Sequence, residues 1–374
     1  MEDKKIVRYQ EIQDFSLWKK IAGRRFLTSF ELEITARCNL NCRHCYINRP
    51  ADDRQAREEE LTLSEIERLA DEAVSLGAIW CLITGGEPLL RPDFEEIYLL
   101  LKKKGLLVSV FTNATLIREK HIKLFKKYPP RDLEVTVYGI TRETFQRVTR
   151  RPAAFKQFQK GLQLLLDNGL PVRLKTMALR SNIHELTAIR DFCQPRTKDY
   201  FRFDPFLHLR YDRDEKRNKE IKAERLSPGE IAQLEKQDKK RFQQLEKECH
   251  RLILKGEPEE GQAFLFKCGT GLTSFSLSYN GLFRLCSSLW HPDCLYNWRN
   301  GTLKEAWFDF VPRVRAMESR AEEFLENCHR CPIINFCLWC PAHAYLEVGK
   351  LDQPIEYFCR VAHERVKNLK EVEI

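Results

Sequence analysis

A curved parallel α/β sheet wrapped by helices is the fold the sequence predicts, and three observations predict it. Strand patterns recur near residues 30–35, 79–84, 106–111, 133–138, 171–177 and 199–204, with amphipathic stretches between them. Helix punctuation falls in those gaps: Ser64 with Glu67 three residues on reads as a capping box, and Gly105 and Gly169 close two later stretches. Six successive βα units of this kind imply parallel pairing.

The first strand pattern, Phe30-Glu31-Leu32-Glu33-Ile34, alternates apolar and polar residues and runs into Thr35-Ala36-Arg37-Cys38-Asn39-Leu40-Asn41-Cys42-Arg43-His44-Cys45-Tyr46. Three cysteines, spaced by three and then two residues, therefore occupy a loop at the C-terminal end of that strand. A tight loop can point three thiolates at one centre. They suit a soft iron–sulfur cluster, and three rather than four leave one iron of a 4Fe-4S cube free to bind a substrate or cofactor. Structural zinc would need a fourth ligand, and His44, lying between two of the cysteines, cannot easily turn its ring to the same ion.

This spacing, with the flanking Cys-Asn-Leu and His-Cys-Tyr, resembles the signature loop of the radical SAM (S-adenosylmethionine) enzymes. A second run supports the resemblance: Ile79-Trp80-Cys81-Leu82-Ile83-Thr84 ends in Gly85-Gly86-Glu87-Pro88, similar to the family's GGEP segment, which grips the methionyl ammonium of SAM. Glycines let the backbone approach a ligand closely, and Glu87 supplies a counter-charge for an ammonium. Alone, Gly-Gly-Glu-Pro reads as a turn; one βα unit after the cysteine loop it reads as a site. The family's partial (β/α)6 barrel fits the six units, with sites at the C-terminal strand ends as in full barrels. By the resemblance, Thr136 and Lys175 become SAM contacts, although exposed strand-end polar residues are the plainer reading of both. Asp204, at the end of the last strand, is a candidate base, but an aspartate before Pro205 is more often a turn former.

Length and composition set the outer bounds. The chain has 374 residues, 43% hydrophobic and 31% charged, enough for two domains with cores of their own. With no apolar run of about 18 residues and no apolar signal region after Met1-Glu2-Asp3-Lys4-Lys5, a soluble cytoplasmic protein without membrane partners is expected. Fourteen cysteines at close spacings then point to metal or cluster ligation rather than disulfides. The net charge of +9 is spread widely, with a local concentration of basic residues between Arg196 and Arg225, by default a solvated face rather than a docking surface for an acidic peptide. No aromatic-interleaved basic motif argues for nucleic acid.

The expected organisation is an N-terminal segment over 1–27, a radical SAM core over 28–205, a charged helical connector over 206–262 and a small cysteine-rich α+β domain over 263–374. The N-terminal segment is too short for an independent folded domain, such as the leader-binding domain ahead of some radical SAM enzymes. Within the connector, Ser227-Pro228-Gly229-Glu230 opens a helix running from about 227 to 255.

The last segment holds the third constellation. Cys268 is followed by Gly281 and Cys286, and later by Cys328-x2-Cys331-x5-Cys337-x2-Cys340 and Cys359. This resembles the SPASM extension of radical SAM enzymes, which binds two auxiliary 4Fe-4S clusters, and Asn300 to Trp307 resembles its connecting segment. One departure is that only Leu338 and Trp339 stand between the fifth and sixth cysteines, where the family usually has three residues. Read without the family, Cys328 to Cys340 would also suit zinc. In the family pattern Cys328, Cys331, Cys337 and Cys359 hold the outer cluster, and Cys268, Cys286 and Cys340 the inner one. The inner cluster's fourth position falls to Cys294 or stays open for a substrate thiolate. Cys81, Cys193 and Cys249 lie in strand or helix patterns and read as ordinary thiols.

The resemblance implies SAM and three 4Fe-4S clusters as cofactors, a peptide or protein substrate, and a low-potential electron donor such as flavodoxin or ferredoxin. Its implied activity is oxidation of a ribosomally made peptide to a thioether or carbon–carbon crosslink. Three alternatives stand beside it. A sulfatase-maturase-like protein oxidation is disfavoured because Cys286 is followed by Ser287 rather than an acid. A small-molecule dehydrogenase usually carries fewer cysteines, and a zinc-binding interaction protein leaves Gly85 to Pro88 unexplained.

Overall fold

In the computed structural model, residues 25–254, 263–337 and 339–369 are described. Most of the N-terminal segment, the end of the connector and Leu338 therefore lie outside the described residues. The six expected strands are present: β1 (Ser29–Thr35), β2 (Trp80–Gly85), β3 (Leu107–Thr112), β4 (Asp132–Thr136), β5 (Val172–Met177) and β6 (Arg202–Asp204). Each pairs in parallel with the next in chain order.

Strand periodicity decides what each face holds, because successive side chains point to opposite faces. Leu32, Ile34, Ile83, Val108, Val110, Leu133, Val135, Val172 and Leu174 are buried on the face covered by helices. Each such side chain contributes about 1.5–3 kcal/mol by leaving water. The alternate residues Glu31, Leu82, Thr84, Phe111, Thr136, Lys175, Met177 and Asp204 line a central cavity instead.

Helix α1 (Leu63–Ser75) starts two residues earlier than Ser64 suggests: Thr62 caps it, with Glu65 reciprocating. Both frames, Thr62-x-x-Glu65 and Ser64-x-x-Glu67, satisfy the capping pattern. The observed helix buries Ile66, Leu69, Ala70 and Ala73 against the sheet. Around the barrel follow α2 (Phe94–Lys103), α3 (Glu119–Lys127), α4 (Arg142–Thr149), α5 (Ala154–Asp167) and α6 (Leu186–Cys193). Gly105 and Gly169, just past α2 and α5, have φ of +85° and +68°, the left-handed backbone that glycine accepts.

The connector is three helices: α7 (Glu215–Glu224), α8 (Pro228–Gln237) and α9 (Lys239–Leu252). Ser227 and Glu230 form the expected capping box. The continuous helix expected over 227–255 is broken at Asp238, and α7 precedes it. The basic concentration between Arg196 and Arg225 resolves largely into ion pairs: Lys198 with Asp132, Arg202 with Glu134, Arg210 with Asp212, Arg217 with Glu220 and Arg225 with Glu347.

The C-terminal segment does not build a sheet apart. Its strand β7 (Ser274–Leu277) pairs in parallel with the free edge of β1, and β8 (Leu282–Arg284) and β9 (Tyr296–Asn297) follow antiparallel. One nine-stranded sheet therefore runs β9-β8-β7-β1-β2-β3-β4-β5-β6. A fully buried ion pair, Arg284 with Glu33, joins β8 to β1, and Trp298 Nε1 donates to Glu72 of α1 at 3.0 Å. Helices α10 (Pro341–Val348) and α11 (Glu356–Lys367) end the chain's described part. No helix among the described residues is long and apolar enough to cross a membrane.

Candidate active site

A cavity of about 370 Å³ opens at the C-terminal ends of the barrel strands. One wall is the loop after β1 that carries Cys38, Cys42 and Cys45, all three of which line the cavity. The loop is fixed from outside: Asn41 N and Arg43 N donate to the carbonyls of Thr149 and Val148 at the end of α4, both at 3.0 Å, and Arg217 donates to Cys42 O at 2.8 Å. Burial first, then the neighbouring thiols, push Cys38 and Cys42 well above the ordinary thiol range. Metal binding takes up such thiols as thiolates and releases their protons. Among the described residues no three His, Cys, Asp or Glu side chains converge on one ion. A four-iron cube asks for a wider triangle, since each thiolate takes a different iron.

The glycines of the next strand end have a steric reason. Gly85 has φ of +128°, and a Cβ there would lie 2.1 Å from Thr35 O. At Gly86 it would lie 2.3 Å from Arg37 O. Only glycine lets β2 press its end against the backbone that leads into the cysteine loop, where Gly86 N and Glu87 N donate to Thr35 O and Arg37 O at 2.7 and 2.9 Å. Gly85 and Gly86 line the cavity, while Pro88 is buried in a short 3₁₀ turn.

Glu87 has a neighbourhood the sequence does not suggest. Its carboxylate is fully buried behind the cavity wall and accepts from Thr112 Oγ1, Asn113 N and Leu89 N at 2.8, 2.7 and 3.1 Å. Burial outweighs these three bonds and raises it to about 7. It therefore ties the end of β3 to the end of β2. Asn113, so positioned, lines the cavity and points its amide at Cys38 Sγ, 3.8 Å away.

Thr136 and Lys175 face each other across β4 and β5 in register, and both line the cavity. Lys175 is ion-paired with Glu134 and lies 3.9 Å from the centre of the Phe111 ring. Its burial lowers the ammonium's pKa. Asp204 also lines the cavity, but its Oδ1 accepts Phe206 N at 3.0 Å, the turn-forming bond expected before Pro205.

The cavity wall also holds Glu31, Tyr46, Tyr138, His208 and Ser287, to none of which the sequence assigns a role there. Tyr138 hydrogen-bonds Cys42 from the end of β4. Ser287 follows Cys286 and brings the C-terminal segment into the cavity wall. Tyr46 and Ser287 each follow a cysteine and Tyr138 follows a strand end, whereas Glu31 lies within β1 and His208 in the loop after β6, with no such signal.

The later cysteines fall into two groups. Cys286 feels Cys340 and Cys268, and Cys340 feels Cys268; burial raises Cys286 and Cys340 to about 12 and about 11. Cys294 is fully buried, its thiol 3.8 Å from Met317 Sδ, and it senses Cys286 alone among the thiols. Cys328 feels Cys337, Cys331 and Cys359 after its own burial, which raises it to about 12. Cys81, Cys193 and Cys249 are buried separately, in β2, α6 and α9.

Comparison with known proteins agrees with this geometry. The Radical SAM superfamily profile matches residues 32–193. The AdoMet-dependent heme synthase of Methanosarcina barkeri is 34% identical over 155 residues, 41% of this chain and 44% of that protein. The antilisterial bacteriocin subtilosin biosynthesis protein AlbA of Bacillus subtilis is 30% identical over 155 residues, 41% of this chain and 34% of that protein. The chain thus spans less than half the length of these curated relatives. In fold, Streptococcus suis SuiB bound to precursor peptide SuiA superposes with a TM-score of 0.67 at 16% identity, covering 90% of this chain and 76% of that one. The anSMEcpe protein with bound AdoMet and Kp18Cys peptide does so at 0.60 and 16%, covering 91% and 96%. The cysteine loop, the glycine strand end and the parallel barrel around them make residues 32–193 of this chain a domain of the radical SAM superfamily.

Proposed function

We propose that this protein cleaves S-adenosylmethionine reductively and oxidises a ribosomally made peptide, forming a thioether or carbon–carbon crosslink. The observation that carries the reading is the cavity itself, whose wall joins the three-thiol loop, the Gly85-Gly86 strand end and, through Ser287, the segment bearing the later cysteines. In this reading Cys38, Cys42 and Cys45 hold the SAM-binding cluster, Cys328, Cys331, Cys337 and Cys359 the outer auxiliary cluster, and Cys268, Cys286 and Cys340, with Cys294 as a fourth donor, the inner one. Soft thiolates suit such clusters, and the three of the first loop leave an iron free for SAM. When bound, SAM and its cluster supply a 5'-deoxyadenosyl radical that removes a hydrogen atom from the substrate.

The chain's own residues do the rest. Gly85 and Gly86 bring the β2 backbone to the cofactor, Asn113 and Thr136 offer polar contacts at the strand ends, and Lys175 offers a cation to a carboxylate. Phe111, Tyr138 and Met177 exclude water. Asp204, held by Phe206 N, is the weaker candidate for a base. A low-potential donor such as flavodoxin or ferredoxin would deliver the electron, and the setting would be the cytoplasm.

Peptide substrates are supported by the likeness in fold to SuiB with its precursor peptide and by the relation to AlbA. The relation to AdoMet-dependent heme synthase supports a second reading, oxidation of an iron porphyrin. The deciding experiment reconstitutes the protein anaerobically and offers it, with dithionite and SAM, either short precursor peptides encoded beside its gene or iron coproporphyrin. Loss of two hydrogens from a peptide by mass supports the first reading. Turnover of the porphyrin alone replaces it.

A further inference from the structure

The inference rests on the reading that Cys268, Cys286 and Cys340 hold an inner auxiliary cluster. His208, in the loop after β6, stands in the cavity wall and is engaged at both ring nitrogens. Its Nδ1 lies 2.5 Å from Ser288 Oγ, and its Nε2 lies 3.2 Å from His343 Nε2, the two imidazoles meeting edge to face with centres 4.4 Å apart. Each partner is in turn bonded to a thiol of the inner group. The backbone N–H of Ser288 donates to Cys286 Sγ, and that of His343 donates to Cys340 Sγ at 3.4 Å. Against its other side packs Tyr46, the residue after Cys45, with ring centres 5.9 Å apart. One imidazole from the barrel thus braces two of the three N–H donors that point at the inner sulfurs, the third being Ala342 N–H on Cys340, and it does so at the wall shared with the first cysteine loop.

We propose that His208 is a positioning residue that sets the reduction potential of the inner auxiliary cluster by holding the Ser288 and His343 backbone N–H groups on the Cys286 and Cys340 sulfurs. The physical reason is electrostatic. Adding an electron makes a cluster more negative, and N–H dipoles aimed at its sulfurs stabilise that state, so well-aligned donors raise the potential. Desolvation lowers the His208 pKa to about 3, which keeps the ring neutral and its hydrogen bonds free of net charge. In the outer group, Cys337 Sγ accepts from Trp339 N of its own loop at 3.4 Å. That cluster provides an internal reference.

The test uses the full chain with its clusters installed. Iron and sulfide are first counted in the parent, and a parent without auxiliary iron would sink the cluster reading and this inference with it. EPR-monitored redox titration then follows the inner and outer signals in the parent, His208→Phe and His208→Asn. With His208→Phe the inner midpoint moves to more negative potential while the outer midpoint stays. With His208→Asn, which still reaches Ser288, part of the shift returns, as general loosening would not produce. An inner midpoint unchanged in His208→Phe overturns the proposal. Should that variant lose inner iron, Ser288→Ala decides, because it keeps the backbone donor and removes the brace: a smaller negative shift supports the proposal and an unchanged midpoint overturns it.

Discussion

Arg284 Nη2 lies 2.8 Å from Glu33 Oε2, and both side chains are wholly out of solvent. This pair fastens β8, just before Cys286, to the inward face of β1, just before the first cysteine loop. Arg284 also lies 3.7 Å from the centre of the Trp290 ring. Burial raises the Glu33 pKa against the pull of Arg284, so the carboxylate depends on its partner to stay charged.

Removing one member should therefore cost more than removing both. Glu33→Leu or Arg284→Met alone is expected to destabilise the fold by about 3–5 kcal/mol, because each leaves an uncompensated buried charge. Glu33→Leu with Arg284→Met should cost clearly less than the sum of the single changes. Urea unfolding of the four proteins checks this, and strict additivity would mean that the two groups are not coupled.

The triple change of Cys38, Cys42 and Cys45 to Ala addresses the first cluster separately from the others. The later cysteines are distant in sequence and hold together through β7, β8 and α10, so the variant should keep auxiliary iron. It should form no 5'-deoxyadenosine under dithionite. Undiminished cleavage by this variant would end the proposed chemistry.

Glu87 carries a pH prediction. Its carboxyl is raised to about 7 from 4.5, with burial as the largest cause. If the SAM ammonium is held by its charge, binding requires the ionised form. Affinity should then fall as pH drops through 7, by up to tenfold per unit, because the free protein must first give up a proton. Glu87→Gln should flatten that dependence and weaken binding at pH 8 by about 1.5–3 kcal/mol. A pH profile identical in both proteins would mean that the carboxylate serves only to tie Thr112 and Asn113 to the end of β2.

How much of this was legible in the sequence differs by element. The strands β1 to β5 announce themselves through alternation, since one face packs on helices and the other faces a cavity. Strands β7 to β9 do not: Leu282–Arg284 and Tyr296–Asn297 are too short for a period and exist by pairing with residues far away in the chain. The cysteine loop and the two glycines were readable because few residue types satisfy their geometry. Glu87 was readable as a residue but not in its direction, because its partners Thr112 and Asn113 belong to another strand. His208 carried no signal at all, since a single histidine after Pro205 acquires meaning only when Ser288 and His343 are folded beside it.

Cys294 separates two versions of the inner site. Its thiol is fully buried, against Met317, and senses Cys286 but neither Cys268 nor Cys340 among the causes that raise it to about 12. As a fourth ligand it would have to turn from Met317 toward the other three, a change its short 3₁₀ turn, Pro292–Cys294, allows only by rotation of its side chain. Cys294→Ala therefore gives opposite outcomes in the two versions. Loss of iron and a changed inner EPR signal would make it a ligand. An unchanged iron content and signal would leave one iron open to a substrate thiolate, which favours thioether formation over carbon–carbon coupling. In that case, adding a cysteine-containing precursor peptide should alter the inner signal, whereas its Cys→Ser counterpart should not.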